Sequence, residues 1–393
     1  MPTQSNDVIR MNSAVKSLNA AGGDDVIYWR PTSGVYTYAG GDTNERYDTN
    51  VYMDKTGGDR LVIEGNVGVK VTFLTTEAGK VVANPGTLNF TGIERLHLGE
   101  GNDTVDASTA KINAAHGTTP QHGLSIWAGG GNDLIIGSKY GDFIDGGAGN
   151  DTIRAGNGSD FIQSSIGNDL INGGGGDDNI RWGQGNFQEV IGNDTIDGGA
   201  GSDLINVWVK DGYLANGKGV AVNIQSIKAD GDMKLSAQTD IGGARSTLTA
   251  QGFEHGWTHE GKDTVSGANA QLSGTTGMNW NTRWGDDRLT GTSGNDTLEG
   301  GEGRDTITGG RGDDLISANG EYYNPWAPSD GDRDTLIFNR GFGHDTVLAF
   351  DTRLDVLQFD SGMSYTAREN GSGTLLTFNT GDTILLSNVF DFI

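Results

Sequence analysis

The stretch "GGAGNDTIRAGNGSDFIQ" at residues 146–163 contains two nine-residue units that share one pattern. Each unit has glycines in its first half, an aspartate at its sixth position (Asp151, Asp160) and an isoleucine two residues later (Ile153, Ile162). Glycine permits the positive-φ backbone of tight turns. A triplet with isoleucine in the middle is typical of a short strand whose middle side chain points to one face. The stretch therefore predicts turns that alternate with very short strands.

The spacing of nine residues extends over much of the chain. The first run has aspartates at Asp133, Asp142, Asp151, Asp160, Asp169 and Asp178, and after a seven-residue insert at Asp194 and Asp203. The second run has Asp287, Asp296, Asp305 and Asp314. An isoleucine or leucine follows two residues after every one of them, which a disordered glycine-rich linker has no reason to keep. Such a fixed short period predicts a solenoid whose coils pack on their neighbours.

Two units make one flattened coil of eighteen residues, so aspartates eighteen apart are predicted to stack along one edge. One edge would hold Asp133, Asp151 and Asp169, and the other Asp142, Asp160 and Asp178. Carboxylates at the strand spacing of about 4.8 Å repel by about 3 kcal/mol at an effective dielectric of about 20. Carboxylates and turn carbonyls together form an all-oxygen site, which suits Ca²⁺ better than the smaller, more strongly hydrated Mg²⁺. We therefore expect calcium ions between the stacked aspartates.

These nonapeptides resemble the hemolysin-type calcium-binding repeats of the RTX family of secreted bacterial proteins, most strongly over 128–206 and 285–317. Weaker copies occur at "GGDDVI" (22–27), "GEGNDTVDAS" (99–108), "HEGKDTVSG" (259–267) and "GFGHDTVLAF" (341–350). The resemblance implies an all-β parallel β-roll, or β-solenoid, that binds multiple calcium ions. The aspartates expected to bind metal are Asp103, Asp133, Asp142, Asp151, Asp160, Asp169, Asp178, Asp194, Asp203, Asp263, Asp287, Asp296, Asp305, Asp314 and Asp345.

The overall charge is strongly negative, with 52 acidic against 27 basic residues. This balance disfavours nucleic-acid binding, which needs basic patches, and it suits calcium loading. The chain has no cysteine, so neither disulfides nor a cysteine-based zinc site are expected. The N-terminus shows no Sec-type signal peptide and no apolar stretch is long enough to predict a transmembrane segment.

A second, longer repeat divides the chain into two tandem halves. "TLNFTGIERLHLGEGNDTV" (87–105) aligns without a gap to "TLTAQGFEHGWTHEGKDTV" (247–265). Each half has an alternating β segment followed by a calcium roll, and almost no helix is expected. The predicted segments are an N-terminal partial repeat (1–27), a first β module (28–122), a first calcium β-roll (123–206), a second β module (207–280), a second calcium β-roll (281–345) and a C-terminal cap with secretion signal (346–393).

Sequence motifs for catalysis are missing: there is no HExxH and no G-x-S-x-G. His255 and His259 in "EHGWTHE" are interpreted as surface histidines, with a transition-metal or catalytic role as the alternative. Three interpretations are open for the two aromatic inserts "NWNTRWG" (279–285) and "EYYNPWAP" (321–328). Their aromatic side chains could form a sugar-stacking platform, contact another protein or pack over the edge of the roll. The residues concerned are Trp280, Trp284, Tyr322, Tyr323 and Trp326.

Together these features favour a secreted, calcium-folded β-roll protein with a structural, surface-layer or adhesive role and without catalysis. The alternative is an extracellular protein that binds or modifies polysaccharide, as an epimerase, lyase or glycanase. The C-terminal region resembles that of proteins exported by type I secretion, so the secretion machinery is an expected partner. Self-assembly and contact with a polysaccharide or the cell surface are further expected interactions, and the expected location is extracellular.

Overall fold

The computed structural model describes residues 6–19, 24–40, 59–111, 123–183, 190–208, 218–241, 244–319, 331–390 and 392. All regular elements in these ranges are β-strands, as the sequence predicts. None of the described residues form a helix long and apolar enough to cross a membrane. The chain forms two compact units: unit 1 comprises Met1–Trp182 and Ile191–Asp203, and unit 2 comprises Gly183–Val190 and Leu204–Ile393.

Unit 1 contains strands that are mostly three to six residues long. They are β1 (Val8–Met11), β2 (Ser17–Asn19), β3 (Val26–Trp29), β4 (Val35–Ala39), β5 (Arg60–Ile63), β6 (Lys70–Thr75), β7 (Ala78–Val82), β8 (Thr87–Thr91), β9 (Arg95–His97), β10 (Thr104–Asp106), β11 (Ser125–Trp127), β12 (Leu134–Ile136), β13 (Phe143–Asp145), β14 (Thr152–Asn157), β15 (Phe161–Gln163), β16 (Leu170–Gly175), β17 (Asn179–Trp182) and β18 (Asn193–Ala200).

These strands form two sheets built by alternate strands of the chain. In the first sheet β1, β3, β5, β9, β11, β13, β15 and β17 pair successively, all in parallel. In the second sheet β2, β4 and β8 pair in parallel, and so do β6, β10, β12, β14, β16 and β18. The antiparallel run β6–β7–β8 joins these two parallel stacks. The chain thus winds as a two-sheet β-roll.

The register of the roll is eighteen residues per coil. Ile135 pairs with Ile153 and Ile153 with Ile171 in the second sheet, while Ile144 pairs with Ile162 in the first. Each of these isoleucines is buried, with at most 1% of its surface exposed. One inward side chain from each short strand therefore fills the thin space between the sheets, which is how a chain with 66 glycines and 34% hydrophobic residues builds a core.

Unit 2 contains β19 (Leu204–Val207), β20 (Lys218–Ile227), β21 (Met233–Ile241), β22 (Ala244–Phe253), β23 (His255–Trp257), β24 (Lys262–Ser266), β25 (Gln271–Leu272), β26 (Thr276–Asn281), β27 (Arg288–Thr290), β28 (Asn295–Gly301), β29 (Thr306–Thr308), β30 (Leu315–Asn319), β31 (Thr335–Phe338), β32 (His344–Leu348), β33 (Val356–Phe359), β34 (Tyr365–Asn370), β35 (Gly373–Phe378) and β36 (Thr383–Ser387).

The architecture of unit 2 follows the same plan. One sheet runs in parallel through β19, β23, β26, β28, β30, β32 and β36, and the other through β20, β24, β27, β29, β31 and β33. The antiparallel run β20–β21–β22 corresponds to β6–β7–β8 of unit 1, since β24 pairs in parallel with β20 as β10 does with β6. The antiparallel strands β34, β35 and β36 follow the last coil.

Replacing Ile153 with alanine is expected to lower the free energy of unfolding by about 2–5 kcal/mol, because the cavity lies in a core only one side chain deep. The neighbouring exposed residue provides the control, and Arg154→Ala is expected to change stability by less than about 0.5 kcal/mol. Urea unfolding of the calcium-loaded protein, followed by circular dichroism, measures both. Equal losses in the two variants would contradict the assignment of Ile153 to the core.

Candidate metal centre

The turns between the strands bring the backbone of successive coils very close together. Gly147 (φ 85°) and Gly149 (φ 136°) both adopt the left-handed region that glycine favours. A Cβ atom at Gly147 would lie 1.9 Å from the carbonyl oxygen of Gly129, and one at Gly149 would lie 1.8 Å from that of Gly131. Glycine is therefore needed in these turns for two reasons. The backbone has positive φ, and any side chain would clash with a carbonyl oxygen of the preceding coil.

The aspartates of the repeats form hydrogen-bonded ladders along the edges of the sheets. The Oδ1 atom of Asp151 accepts the backbone N–H of Asp133 at 2.8 Å, and the Oδ1 atom of Asp169 accepts that of Asp151 at 2.8 Å. On the other edge the Oδ1 atom of Asp178 accepts the N–H of Asp160 at 2.8 Å. One oxygen of each carboxylate thus holds the preceding coil in register.

The ladders arrange the fifteen predicted aspartates into four rows. In unit 1 the rows are Asp103, Asp133, Asp151, Asp169, Asp194 and Asp142, Asp160, Asp178, Asp203. In unit 2 they are Asp263, Asp287, Asp305 and Asp296, Asp314, Asp345. Spacing within a row is eighteen residues between consecutive nonapeptide coils and 25 residues across the seven-residue insert. It is 30 residues from Asp103 to Asp133, 24 from Asp263 to Asp287 and 31 from Asp314 to Asp345.

The structure adds aspartates that the nine-residue spacing does not identify. Asp334 and Asp355 extend a row of unit 2, since the Oδ1 atom of Asp334 accepts the N–H of Asp305 and that of Asp355 the N–H of Asp334. Asp25 and Asp59 form the same ladder near the N-terminus of unit 1. A sequence signal exists for all four residues, because each is followed two positions later by leucine or isoleucine, as in the repeats.

The second carboxylate oxygen distinguishes these aspartates from ordinary turn residues. In several of them the Oδ2 atom is buried and receives no hydrogen bond, and their exposed fractions lie between 1% and 3%. An unsatisfied buried polar atom is costly, and an unsatisfied charge more so. These oxygens therefore mark a position for a positively charged ligand. The residues are Asp133, Asp151, Asp160, Asp169, Asp178, Asp314 and Asp345.

Backbone carbonyls converge on the same position. A Cβ atom on Gly173 would lie 2.3 Å from the Oδ2 atom of Asp178 and 2.4 Å from the carbonyl oxygen of Gly198 on the next coil. The described residues contain no group of three or more His, Cys, Asp or Glu side chains arranged around a metal position. The oxygens brought together at this turn are instead one carboxylate oxygen and a carbonyl oxygen of the next coil, and such hard oxygen ligands suit Ca²⁺.

Burial raises the pKa values of these carboxyl groups, because a low-dielectric environment disfavours the charged form. The pKa of Asp133 rises to about 7, chiefly by desolvation and further by the charge of Asp151. The pKa of Asp169 rises to about 8, by desolvation and then by the charge of Asp194. The pKa of Asp160 is also raised, by desolvation and by Asp142. Without a cation, burial therefore disfavours the charged form of the carboxyl groups in these rows.

The surface interpretation is wrong for His259, and the sugar-stacking alternative is excluded for Trp280. His259 is not a surface histidine: it is only 5% exposed, and its ring centroid lies 3.7 Å from that of Trp208 and 4.7 Å from that of Trp284. Trp280 cannot contribute to a surface platform, because it is 1% exposed and lies in the core of unit 2. Trp284 is 39% exposed, and residues 321–328, with the other aromatic insert, lie outside the described residues.

Comparisons with known proteins agree with the repeat pattern. A family model described as "RTX calcium-binding nonapeptide repeat (4 copies)" matches residues 89–109, 127–162, 155–186, 191–207 and 282–316. A search of curated proteins finds no match.

Among solved structures, the extracellular lipase LipA from Serratia marcescens is similar, with 18% identity and a TM-score of 0.20. The match covers 75% of this chain and 44% of that lipase, so this chain spans less than half of its length. The matched segments contain all the predicted aspartates of the rows described above except Asp263 and Asp345. The chain thus carries RTX calcium-binding nonapeptide repeats, and these repeats bind multiple calcium ions.

Proposed function

We propose that this protein is a secreted β-roll that folds when it binds calcium outside the cell and that serves a structural or adhesive role at a surface. The observation that supports this most strongly is the set of buried aspartates whose second oxygen receives no hydrogen bond. Strands and aspartate turns make up both units, so the cation sites belong to the fold itself. Calcium in such a position holds the architecture together.

The proposal assigns one calcium ion to each turn with an unsatisfied Oδ2 atom. The aspartate of that turn supplies Oδ2, and the next coil supplies carbonyl oxygens, as at Gly173, Asp178 and Gly198. The ion neutralises carboxylates that would otherwise repel each other across consecutive coils. In this assignment the calcium-binding residues of the rows include Asp133, Asp151, Asp160, Asp169, Asp178, Asp287, Asp314 and Asp345. The other predicted aspartates, except Asp142 and Asp296, occupy equivalent places in the rows.

Coupling of calcium to folding follows from the composition of the chain. Glycine loses more backbone entropy on folding than any other residue, and the core is thin. Calcium that binds only the folded chain adds its binding free energy to stability. Extracellular calcium modules bind at about 10⁻⁴ to 10⁻³ M, so the rolls would remain unfolded in a cytosol with little free calcium. We propose that this unfolded chain is the form exported by type I secretion through its C-terminal region.

We also propose that the chain is divided into the six predicted segments. We further propose that the protein self-assembles and attaches to a cell surface. Electron microscopy of the protein with and without millimolar calcium tests assembly, since sheets or filaments are expected only with calcium. The alternative function, polysaccharide binding or modification, is tested by a glycan array together with a reducing-sugar assay on calcium-loaded protein. Glycan binding or release of reducing sugar in these assays would favour the alternative function over the structural role.

Removal of calcium is expected to abolish most of the β structure. Circular dichroism in EDTA should show a coil-like spectrum, and titration with calcium should restore the β signal cooperatively. Magnesium at the same concentration should not substitute, because it prefers a smaller octahedral shell. If the EDTA-treated protein keeps its full β signal and melting temperature, calcium does not hold the fold together.

Two adjacent aspartates provide a matched test of the site. Asp178 is buried in a row, whereas Asp177 is exposed and accepts the N–H of Ser202. Asp178→Asn is expected to lower the number of bound calcium ions and to raise the calcium concentration needed for folding. Asp177→Asn removes the same charge and should leave the number of ions unchanged. Calorimetric titration counts the ions, and equal losses in the two variants would show that net charge alone governs binding.

Lower pH should favour folding of the calcium-free protein but should weaken calcium binding. Without calcium, the raised pKa values of Asp133 (about 7) and Asp169 (about 8) mean that folding takes up protons. That stability is fully present below about pH 4, the unfolded pKa, and is lost as pH rises through 7 to 8. In EDTA, the β signal should therefore be greater at pH 5 than at pH 8. With calcium, the affinity should instead fall as pH falls, because protons compete for the same oxygens.

A calcium-free β signal that increases with pH would contradict this account of the buried carboxyl groups. The Asp178→Asn variant serves as a control, since it has one carboxyl group fewer and its pH dependence should be weaker.

A further inference from the structure

Two of the predicted calcium turns have a different hydrogen-bonding pattern. In the turn "GSKYGD" (137–142), the Oδ2 atom of Asp142 accepts the backbone N–H of Ser138 at 2.6 Å. The Oδ1 atom accepts the hydroxyl of Ser138 at 2.9 Å and the N–H of Leu124 at 2.6 Å. Both carboxylate oxygens of Asp142 are therefore occupied by donors of the protein, in contrast to Asp151, whose Oδ2 atom receives none.

The same arrangement recurs in unit 2, in the turn "GTSGND" (291–296). The Oδ2 atom of Asp296 accepts the N–H of Thr292 at 2.7 Å, and its Oδ1 atom accepts the Thr292 hydroxyl at 2.9 Å and the N–H of Met278 at 2.6 Å. The hydroxyl of Thr292 also accepts the N–H of Gly294 at 3.0 Å. The same capped pattern therefore occurs once in each unit.

The backbone conformation four residues before the aspartate differs between the capped turns and the following three turns. In the turns of Asp151, Asp178 and Asp314, that residue is a glycine with positive φ, and the Oδ2 atom receives no donor. Ser138 and Thr292 do not have positive φ, and their N–H groups point at Oδ2.

A serine in this position is not sufficient. Ser165 lies four residues before Asp169 but has a φ of 69°, its hydroxyl donates to Asp145, and the Oδ2 atom of Asp169 receives no hydrogen bond. The sequence of the turn alone therefore does not decide its type, since both the hydroxyl and the backbone N–H must face the carboxylate.

We propose that the turns of Asp142 and Asp296 hold no calcium, because the Ser138 and Thr292 caps take the place of the ion. An N–H group aimed at Oδ2 places its positive end where the cation would bind, and it also satisfies the oxygen without a metal. The inference rests on the proposed calcium assignment of the other turns, and it divides the aspartates into cation-binding and self-capped members.

The position of the two capped turns in the rows supports this division. Asp142 and Asp296 are each the first aspartate of a row: the N–H groups they accept come from Leu124 and Met278 rather than from another aspartate. Interior aspartates such as Asp160 and Asp314 follow them in the same rows. In these two rows the first turn is complete without metal and the proposed calcium sites follow, whereas the row that begins with Asp103 has a first turn whose Oδ2 atom receives no hydrogen bond.

The test compares calcium stoichiometry in the full chain for Asp142→Asn, Asp151→Asn and Ser138→Gly, by calorimetric titration with calcium alone. Asp142→Asn should bind as many ions as the unchanged protein, whereas Asp151→Asn should bind fewer. Ser138→Gly removes the hydroxyl and permits positive φ, so it should gain one ion. Circular dichroism at saturating calcium confirms that each variant has folded, and Thr292→Gly repeats the gain-of-site test in unit 2.

The outcomes separate this inference from the proposed function. If Asp142→Asn and Asp151→Asn lose ions equally, Asp142 is a calcium ligand and the inference is wrong, while the calcium assignment of the rows stands. If neither variant loses ions, the assignment of calcium to the rows fails. An unchanged ion count in Ser138→Gly and Thr292→Gly, both folded, would also overturn the inference, because the cap would then not be what excludes calcium.

Discussion

The structure depends on buried carboxylates that recur in successive coils of the roll, most of which have a protein donor for only one of their two oxygens. The Oδ1 atom holds the preceding coil through its backbone N–H, as Asp151 does with Asp133 at 2.8 Å. The Oδ2 atom points into a cradle of glycine and carbonyl oxygen where no protein donor reaches it. The same side chain therefore sets the register and creates the need for a cation, so that strand pairing and metal binding are a single requirement.

The protein satisfies the second oxygen in more than one way. In glycine-rich turns such as that of Asp151, no protein group donates to this oxygen, and we propose that calcium binds there. In the turns of Asp142 and Asp296, a hydroxyl and a backbone N–H from the same turn supply the donors. Near the N-terminus of unit 1, the Tyr38 hydroxyl donates to the Oδ2 atom of Asp59 at 2.6 Å, which raises the pKa of Tyr38 through burial and that hydrogen bond. The same ladder of hydrogen bonds thus occurs both where Oδ2 has a protein donor and where it has none.

Much of this could be predicted from the sequence, because the solenoid converts spacing along the chain directly into position. The interval of nine residues between aspartates, with an apolar residue two positions later, predicted the coil, the inward isoleucines and the rows. Asp59, Asp334 and Asp355 were not predicted as row members, because long connections separate them from the neighbouring coils. The short Asp-x-Leu pattern is then their only sequence signal. The burial of His259 depends on Trp208 and Trp284, which are distant in sequence. The difference between Ser138 and Ser165 depends on a backbone dihedral angle that one residue type does not fix.

The central claim is that calcium occupies the cradles beside the unsatisfied Oδ2 atoms. An anomalous difference map from crystals of the calcium-loaded protein, recorded where calcium scatters anomalously, tests it most directly. The account predicts peaks in the turns of Asp151 and Asp169 on one edge and of Asp160 and Asp178 on the other, with successive peaks about 4.8 Å apart. A map without peaks in these turns, in crystals whose protein has the described fold, would contradict it, since the buried carboxyl groups would then have to be neutralised by protons instead of metal.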